Sequence, residues 1–129
     1  MSESIVTGIL TVAIPTADAD TALRFYTDVL GLTLERDLPA SSTGPRWVTL
    51  GTGGPVSVSL WEPPAGADSV PRPTGIRFVT PDAADARQRI AASGAEVGEL
   101  LQWPGVPAMF DARDLEGNEF VVMEALPRG

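Results

Sequence analysis

The side chains that most often do chemistry near neutral pH are missing from this sequence. It has no histidine and no cysteine, which removes the imidazole base, the thiolate nucleophile, thiolate zinc sites and disulfides. Carboxylates remain to move protons. Glu35, Asp111 and Glu119 are candidate catalytic acids or bases, because a carboxyl desolvated in apolar surroundings rises in pKa. Arg77 and the hydroxyls of Thr11 and Ser59 would then hold a carbonyl or enolate oxygen. Glu35, Asp37, Asp111 and Glu119 also offer oxygen ligands for a hard cation such as Mg²⁺ or Mn²⁺, although no spacing motif converges them. A third kind of work needs no proton transfer. Trp47, Trp61 and Trp103 offer flat faces to a planar or cationic group, and Met109 and Met123 adapt to an irregular one.

Those side chains need elements to position them, and the chain supplies the elements twice. Gly8–Gly31 and Arg72–Gly94 align at an offset of 64 residues. Each begins with an alternating apolar run, Leu10, Val12 and Ile14 in the first and Ile76 and Phe78 in the second, which predicts a strand. Each then meets an aspartate, Asp18 or Asp82, suited to cap a helix by accepting its first free N–H groups. A helical stripe follows: Ala22, Leu23, Tyr26, Val29 and Leu30, then more weakly Ala83, Ala86, Ile90 and Ala91. Gly31 and Gly94 stand where a helix ends. Three strands are predicted after each helix: Leu32–Leu38, Arg46–Leu50 and Val56–Trp61, then Ala95–Gln102, Ala108–Ala112 and Glu119–Glu124. The four prolines of 63–73 read as a linker. The expectation is an α+β chain of two tandem βαβββ modules, 8–62 and 74–126, joined by linker 63–73, within a single domain spanning 1–129.

Composition narrows the partners. With 129 residues, 43% of them hydrophobic and 20% charged, the chain is an ordinary globular domain. Its net charge of −8 argues against nucleic acid and against an anionic membrane surface. No apolar run reaches the roughly 20 residues of a membrane span, and the N-terminus lacks a signal-peptide layout, so a cytoplasmic protein is expected.

The stretches Val12-Ala-Ile-Pro-Thr-Ala-Asp18 and Phe25-Tyr-Thr-Asp-Val-Leu-Gly-Leu32 resemble the opening strand and helix of the vicinal oxygen chelate superfamily. That superfamily includes glyoxalase I, extradiol dioxygenases and bleomycin-resistance proteins. Asp114-Leu-Glu-Gly-Asn118, followed by an apolar strand, resembles its closing turn. The resemblance covers roughly Gly8 to Ala125 and implies sheets that curl into a cup, commonly in a homodimer. It does not say whether modules pair within one chain or between chains. In the metalloenzymes of the superfamily, four cup positions ligate a divalent metal. By motif register these are Thr11, Ser59, Gly75 and Val121, which are not a ligand set. No metal and no cofactor is therefore expected, nor the metal-dependent glyoxalase or dioxygenase reactions.

Alternation assigns the two faces of the strands. One face carries the apolar positions from Leu10 to Val122 and should meet the helices. The other carries Thr11, Trp47, Thr49, Ser59, Trp61, Arg77, Met109, Asp111, Glu119 and Met123, with Glu35 and Asp37 if the second strand keeps register. Trp103 is expected on a loop over the mouth. A mixed aromatic and polar concavity of this kind suits a small organic ligand. Two functions are compatible with it: a metal-independent binding protein, of the drug-sequestering bleomycin-resistance type, or a metal-independent tailoring enzyme acting on a polyketide-like substrate through a cup carboxylate. Other readings stand beside these. Trp47 and Trp61 would instead pack on the other module or on a second subunit, and Arg77 would pair with Glu119 or be solvated.

Overall fold

Each half of the chain opens with a strand that runs into a capped helix. The computed structural model describes residues 5–41, 44–63 and 73–125. The first half contains β1 (Thr11–Pro15), α1 (Ala19–Arg24), β2 (Thr33–Leu38), β3 (Trp47–Gly51) and β4 (Ser57–Trp61). The second contains β5 (Pro73–Thr80), α2 (Ala83–Ala92), β6 (Met109–Arg113) and β7 (Glu119–Glu124). Residues 64–72, most of the expected linker, lie outside the described residues; Pro73 already belongs to β5.

The repeat extends to its capping. Asp18 accepts the Asp20 and Thr21 N–H groups, and Asp82 accepts that of Asp85. The Thr21 hydroxyl and N–H hold the Asp18 carboxyl below its ordinary value. A second carboxylate joins each cap from the end of the module's last strand: Ala19 N–H donates to Glu62 at 2.9 Å and Ala83 N–H to Glu124 at 3.0 Å. Gly31 and Gly94 close their helices at φ +82° and +95°, where a Cβ would be strained. The first helix does not stay α-helical as its stripe predicts, because its last turn, Phe25–Val29, is a π-turn.

The strands form two sheets, β1-β4-β3-β2 and β5-β7-β6. β1 runs parallel to β4 and β5 parallel to β7, and the other neighbours are antiparallel. The predicted strand Ala95–Gln102 is reduced to two isolated bridges, Val97 with Ala112 and Leu101 with Met109. The first segment advances four residues while β6 advances three, so one residue is left over and the ladder breaks. Gly98 permits the close approach, for a Cβ there would collide with the Asp111 carboxylate.

One face of each sheet forms the core, as alternation predicts. Ile14, Val48, Leu50, Val58 and Leu60 meet Phe110, Ala112, Phe120 and Val122, all buried. Phe25 and Tyr26 of the first half pack on Phe120 of the second, ring centroids 6.5 and 6.4 Å apart. Leu10 departs from the expectation: it precedes β1 and is 82% exposed. Among the described residues no helix is long and apolar enough to cross a membrane.

A buried polar network crosses between the halves. Tyr26 donates its hydroxyl to Asp114 at 2.8 Å. Asn118 donates to Asp114 at 3.1 Å and to the Pro15 carbonyl at 3.0 Å. Glu116 accepts the Thr16 hydroxyl and the Ala17 N–H, each at 2.7 Å. Burial, with the Asp114 charge beside it, pushes the Tyr26 phenol above its ordinary value, so it remains a donor. Tyr26→Phe removes that donor from a buried carboxylate. The expected loss is about 1–3 kcal/mol, read from urea unfolding, and an unchanged midpoint would contradict the network's role.

Candidate functional site

On the face of the first sheet opposite the core, side chains of β1, β3 and β4 converge. Thr11 and Ser59 hydroxyls lie 2.7 Å apart. Thr11 also donates to the Ser57 carbonyl at 3.1 Å. A hydroxyl has one proton, so with Thr11 donating there, Ser59 donates to Thr11. Beside them Trp47 and Trp61 face each other across β3 and β4, centroids 6.4 Å apart and planes tilted by 38°. Both are half-buried. Thr11, Ser59, Trp47 and Thr49 line a concavity of about 580 Å³, within the usual range for small-molecule sites.

The fourth wall is β2, and its register differs from the expected one. Leu34 pairs with Leu50, but Arg36, not Glu35, pairs with Thr49. The extra residue is a β-bulge, which re-aims the remainder of the strand. Arg36 and Leu38 thereby join the face of Thr49 and Trp47 and line the concavity. Asp37 moves to the opposite face, beside Val48, which corrects its expected place in the cup. There Arg46 holds it with two hydrogen bonds, at 3.1 and 2.8 Å, and also reaches Asp20 at 2.8 Å. The Arg46 hydrogen bond holds the Asp37 carboxyl below its ordinary value. Glu35 still lines the concavity, its carboxylate folded over Gly51.

The second sheet presents a matching face. Met109 lies opposite Met123 and Asp111 opposite Val121, with Arg113 opposite Glu119. Sequence reasoning missed Arg113, which gathers both catalytic candidates of this sheet: Glu119 at 2.8 Å and Asp111 at 3.8 Å, with Glu96 also at 3.8 Å. The signal was available, since positions 111 and 113 share a face and 119 lies across from 113. Glu119 thus pairs with Arg113 and not with Arg77. Arg77 is exposed opposite Val121. Trp103 is 54% exposed, on a turn closed by Val106 N–H to the Trp103 carbonyl at 3.1 Å. In the single chain Trp61, Arg77, Trp103, Met109 and Met123 do not line the concavity of the first sheet; Trp61 adjoins it only through its contact with Trp47.

The four positions that would hold a divalent metal do not fit one. Thr11 and Ser59 are bonded to each other, Gly75 has no side chain, and Val121 is apolar. The structure does not bring the four carboxylates together for a hard cation either. Asp37 is on the far face with Arg46, Asp111 and Glu119 surround Arg113, and Glu35 is on the other sheet. Among the described residues no cluster of three such ligands occurs.

A larger apolar groove of about 750 Å³ runs between β1 and β5, lined by Val12, Val58, Ile76, Phe78 and Ile90 among others. β1 and β5 are both edge strands. The groove explains why Val12, Ile76 and Phe78, expected in the core, are only half-buried.

Two strand–helix–strand units, each with a sheet that packs one face into a shared core, define a two-module α+β fold. Residues 8–122 match the Glyoxalase/Bleomycin resistance protein/Dioxygenase superfamily, and the chain belongs to it. Its fold is shared with TnmS3, an antibiotic binding protein from Streptomyces sp. CB03234, at 21% identity and TM-score 0.78, covering 95% of this chain and 98% of that one. TioX from Micromonospora sp. ML1 matches at 23% identity and TM-score 0.72, covering 92% and 98%. A lactoylglutathione lyase from Agrobacterium tumefaciens matches at 26% identity and TM-score 0.70, covering 93% and 95%. No curated protein matches the chain.

The Asp37–Arg46 pair fixes which way β2 faces after its bulge. The Asp37 carboxyl is depressed below 3.8 in the folded state, so its contribution is present above that value and fades as pH falls through the depressed one. Arg46→Gln should therefore lower the melting midpoint at about pH 7, with the difference from wild type closing as pH falls through the depressed value. A difference that widens in acid would contradict the pairing.

Proposed function

We propose that this protein is a metal-independent binding protein for a medium-sized, partly apolar or aromatic organic molecule, of the drug-sequestering kind. The observation that carries this reading is the pairing of Trp47 and Trp61 beside Thr11 and Ser59. Aromatic area stands beside two hydroxyls at positions that the resemblance assigns to metal ligands. Stacking on the indole faces supplies affinity, and the polar side chains of β2 that line the concavity supply orientation. The antibiotic binding of TnmS3, which shares the fold, agrees with this role. The rival reading, a metal-independent tailoring enzyme, draws less support. Two of its three candidate carboxylates, Asp111 and Glu119, are engaged by Arg113.

The cup is completed by a second copy of the chain, in a cytoplasmic homodimer. Within one chain the two sheets stay separate, and the edges of β1 and β5 flank an apolar groove. Val79, on β5, is 70% exposed. Pairing β1 of one copy with β5 of its partner would satisfy both edges and join the first sheet's face to the partner's second sheet. Arg77, Met109, Met123 and Trp103 of that sheet would then reach the ligand.

Fluorescence titration with a panel of aromatic polyketides and glycopeptide drugs tests the site. Trp61→Ala and Trp47→Ala should each weaken the best hit by roughly tenfold or more while the melting midpoint stays near wild type. Unchanged affinity in both variants would overturn the site assignment. Light scattering should give a dimer mass, and Val79→Asp should convert it to monomer; a wild-type monomer that binds ligand fully would overturn the shared cup.

A further inference from the structure

The bulge in β2 delivers a side chain that the sequence pattern assigned elsewhere. We infer that Arg36 is a specificity-determining residue of the cup, and that the ligand is a planar aromatic carrying an acidic oxygen, a carboxylate or an ionised phenol or enol, which Arg36 binds. This rests on the binding reading above and deepens it.

Arg36 stands opposite Thr49, on the face of Trp47 and Leu38, and lines the concavity. Among the described residues Arg46, Arg89 and Arg113 hold carboxylates, and Arg87 holds the Gly98 carbonyl. Arg36 has no carboxylate within 4.0 Å among them, in a chain where acids outnumber bases 17 to 9. Arg24 and Arg77 also lack such a partner, but they stand outside this concavity; an unpaired guanidinium in the same concavity as Trp47 can take an oxyanion in its fork while the ligand's rings stack.

The neighbouring Glu35 lines the same concavity without pairing to Arg36. Its carboxylate lies over Gly51, two residues along β3 from the Thr49 that faces Arg36, roughly 7 Å at strand rise, so the two groups compete to set the sign of the ligand's charge. The net charge of −8 favours cations at long range, but screening over about 8–10 Å in physiological salt leaves the local group to decide.

The test is an isosteric pair, anthraquinone-2-carboxylate and anthraquinone-2-carboxamide, titrated by tryptophan fluorescence into the full-length protein. Wild type should bind the carboxylate at least tenfold more tightly than the amide, and raising the salt should narrow that gap. Arg36→Gln should close the gap by weakening the carboxylate more than the amide, and Arg24→Gln, the same charge change on exposed α1, should not. Equal affinities in wild type, or a gap that survives Arg36→Gln, would overturn the inference and leave the aromatic cup standing. Tighter binding of 2-(aminomethyl)anthraquinone than of either would also overturn it, in favour of Glu35. If wild type binds none of the three, the binding reading itself fails.

Discussion

The closing turn Asp114–Asn118 holds the two halves of this protein in one arrangement. The Asp114 carboxylate, buried, accepts from the Tyr26 hydroxyl, the Asn118 amide and the Glu116 and Asn118 N–H groups. Glu116, from the same turn, takes the hydroxyl and N–H groups at the strand-to-helix junction of the other half. A buried carboxylate is costly unless it is so satisfied. The network therefore specifies one docking of module on module, with Phe25 and Tyr26 against Phe120. The edges of β1 and β5 are left open.

The chemistry of the sheet faces comes from substitutions within a repeated plan. At the four positions that the resemblance assigns to metal ligands stand two hydroxyls, a glycine and a valine. In the first module the hydroxyls close on each other, which satisfies both polar groups. The second module's Asp111 and Glu119 are drawn to Arg113, so the charges on that face are mutually compensated. Aromatic area and the Arg36 guanidinium, without an ion pair among the described residues, are left for the concavity of the first module to offer to a ligand.

Much of this was legible in the sequence because its signals are local. Asp18 and Asp82 cap, Gly31 and Gly94 close, and strand alternation put Trp47, Trp61, Thr11 and Ser59 on one face. The closing turn was visible as a motif, though not its bond to Tyr26, a residue read only as helix-face packing. Features that depend on distant partners were not legible. Glu62 and Glu124 cap helices that begin 43 and 41 residues earlier. The β2 bulge lies in Leu34-Glu35-Arg36, with no glycine or proline to mark it, so Asp37 was placed on the wrong face and Arg36 was overlooked. For Ala95–Gln102 a signal existed: Gly98 inside an alternating pattern points to a break in pairing.

The proposed binding of an organic ligand without a metal is tested most directly by calorimetric titration of an aromatic ligand into protein stripped with a strong chelator, repeated after dialysis against Zn²⁺, Mn²⁺ or Ni²⁺. The same affinity and stoichiometry are expected in every preparation, because Thr11, Ser59, Gly75 and Val121 do not make a ligand set. Binding that disappears on chelation and returns with one metal would contradict it.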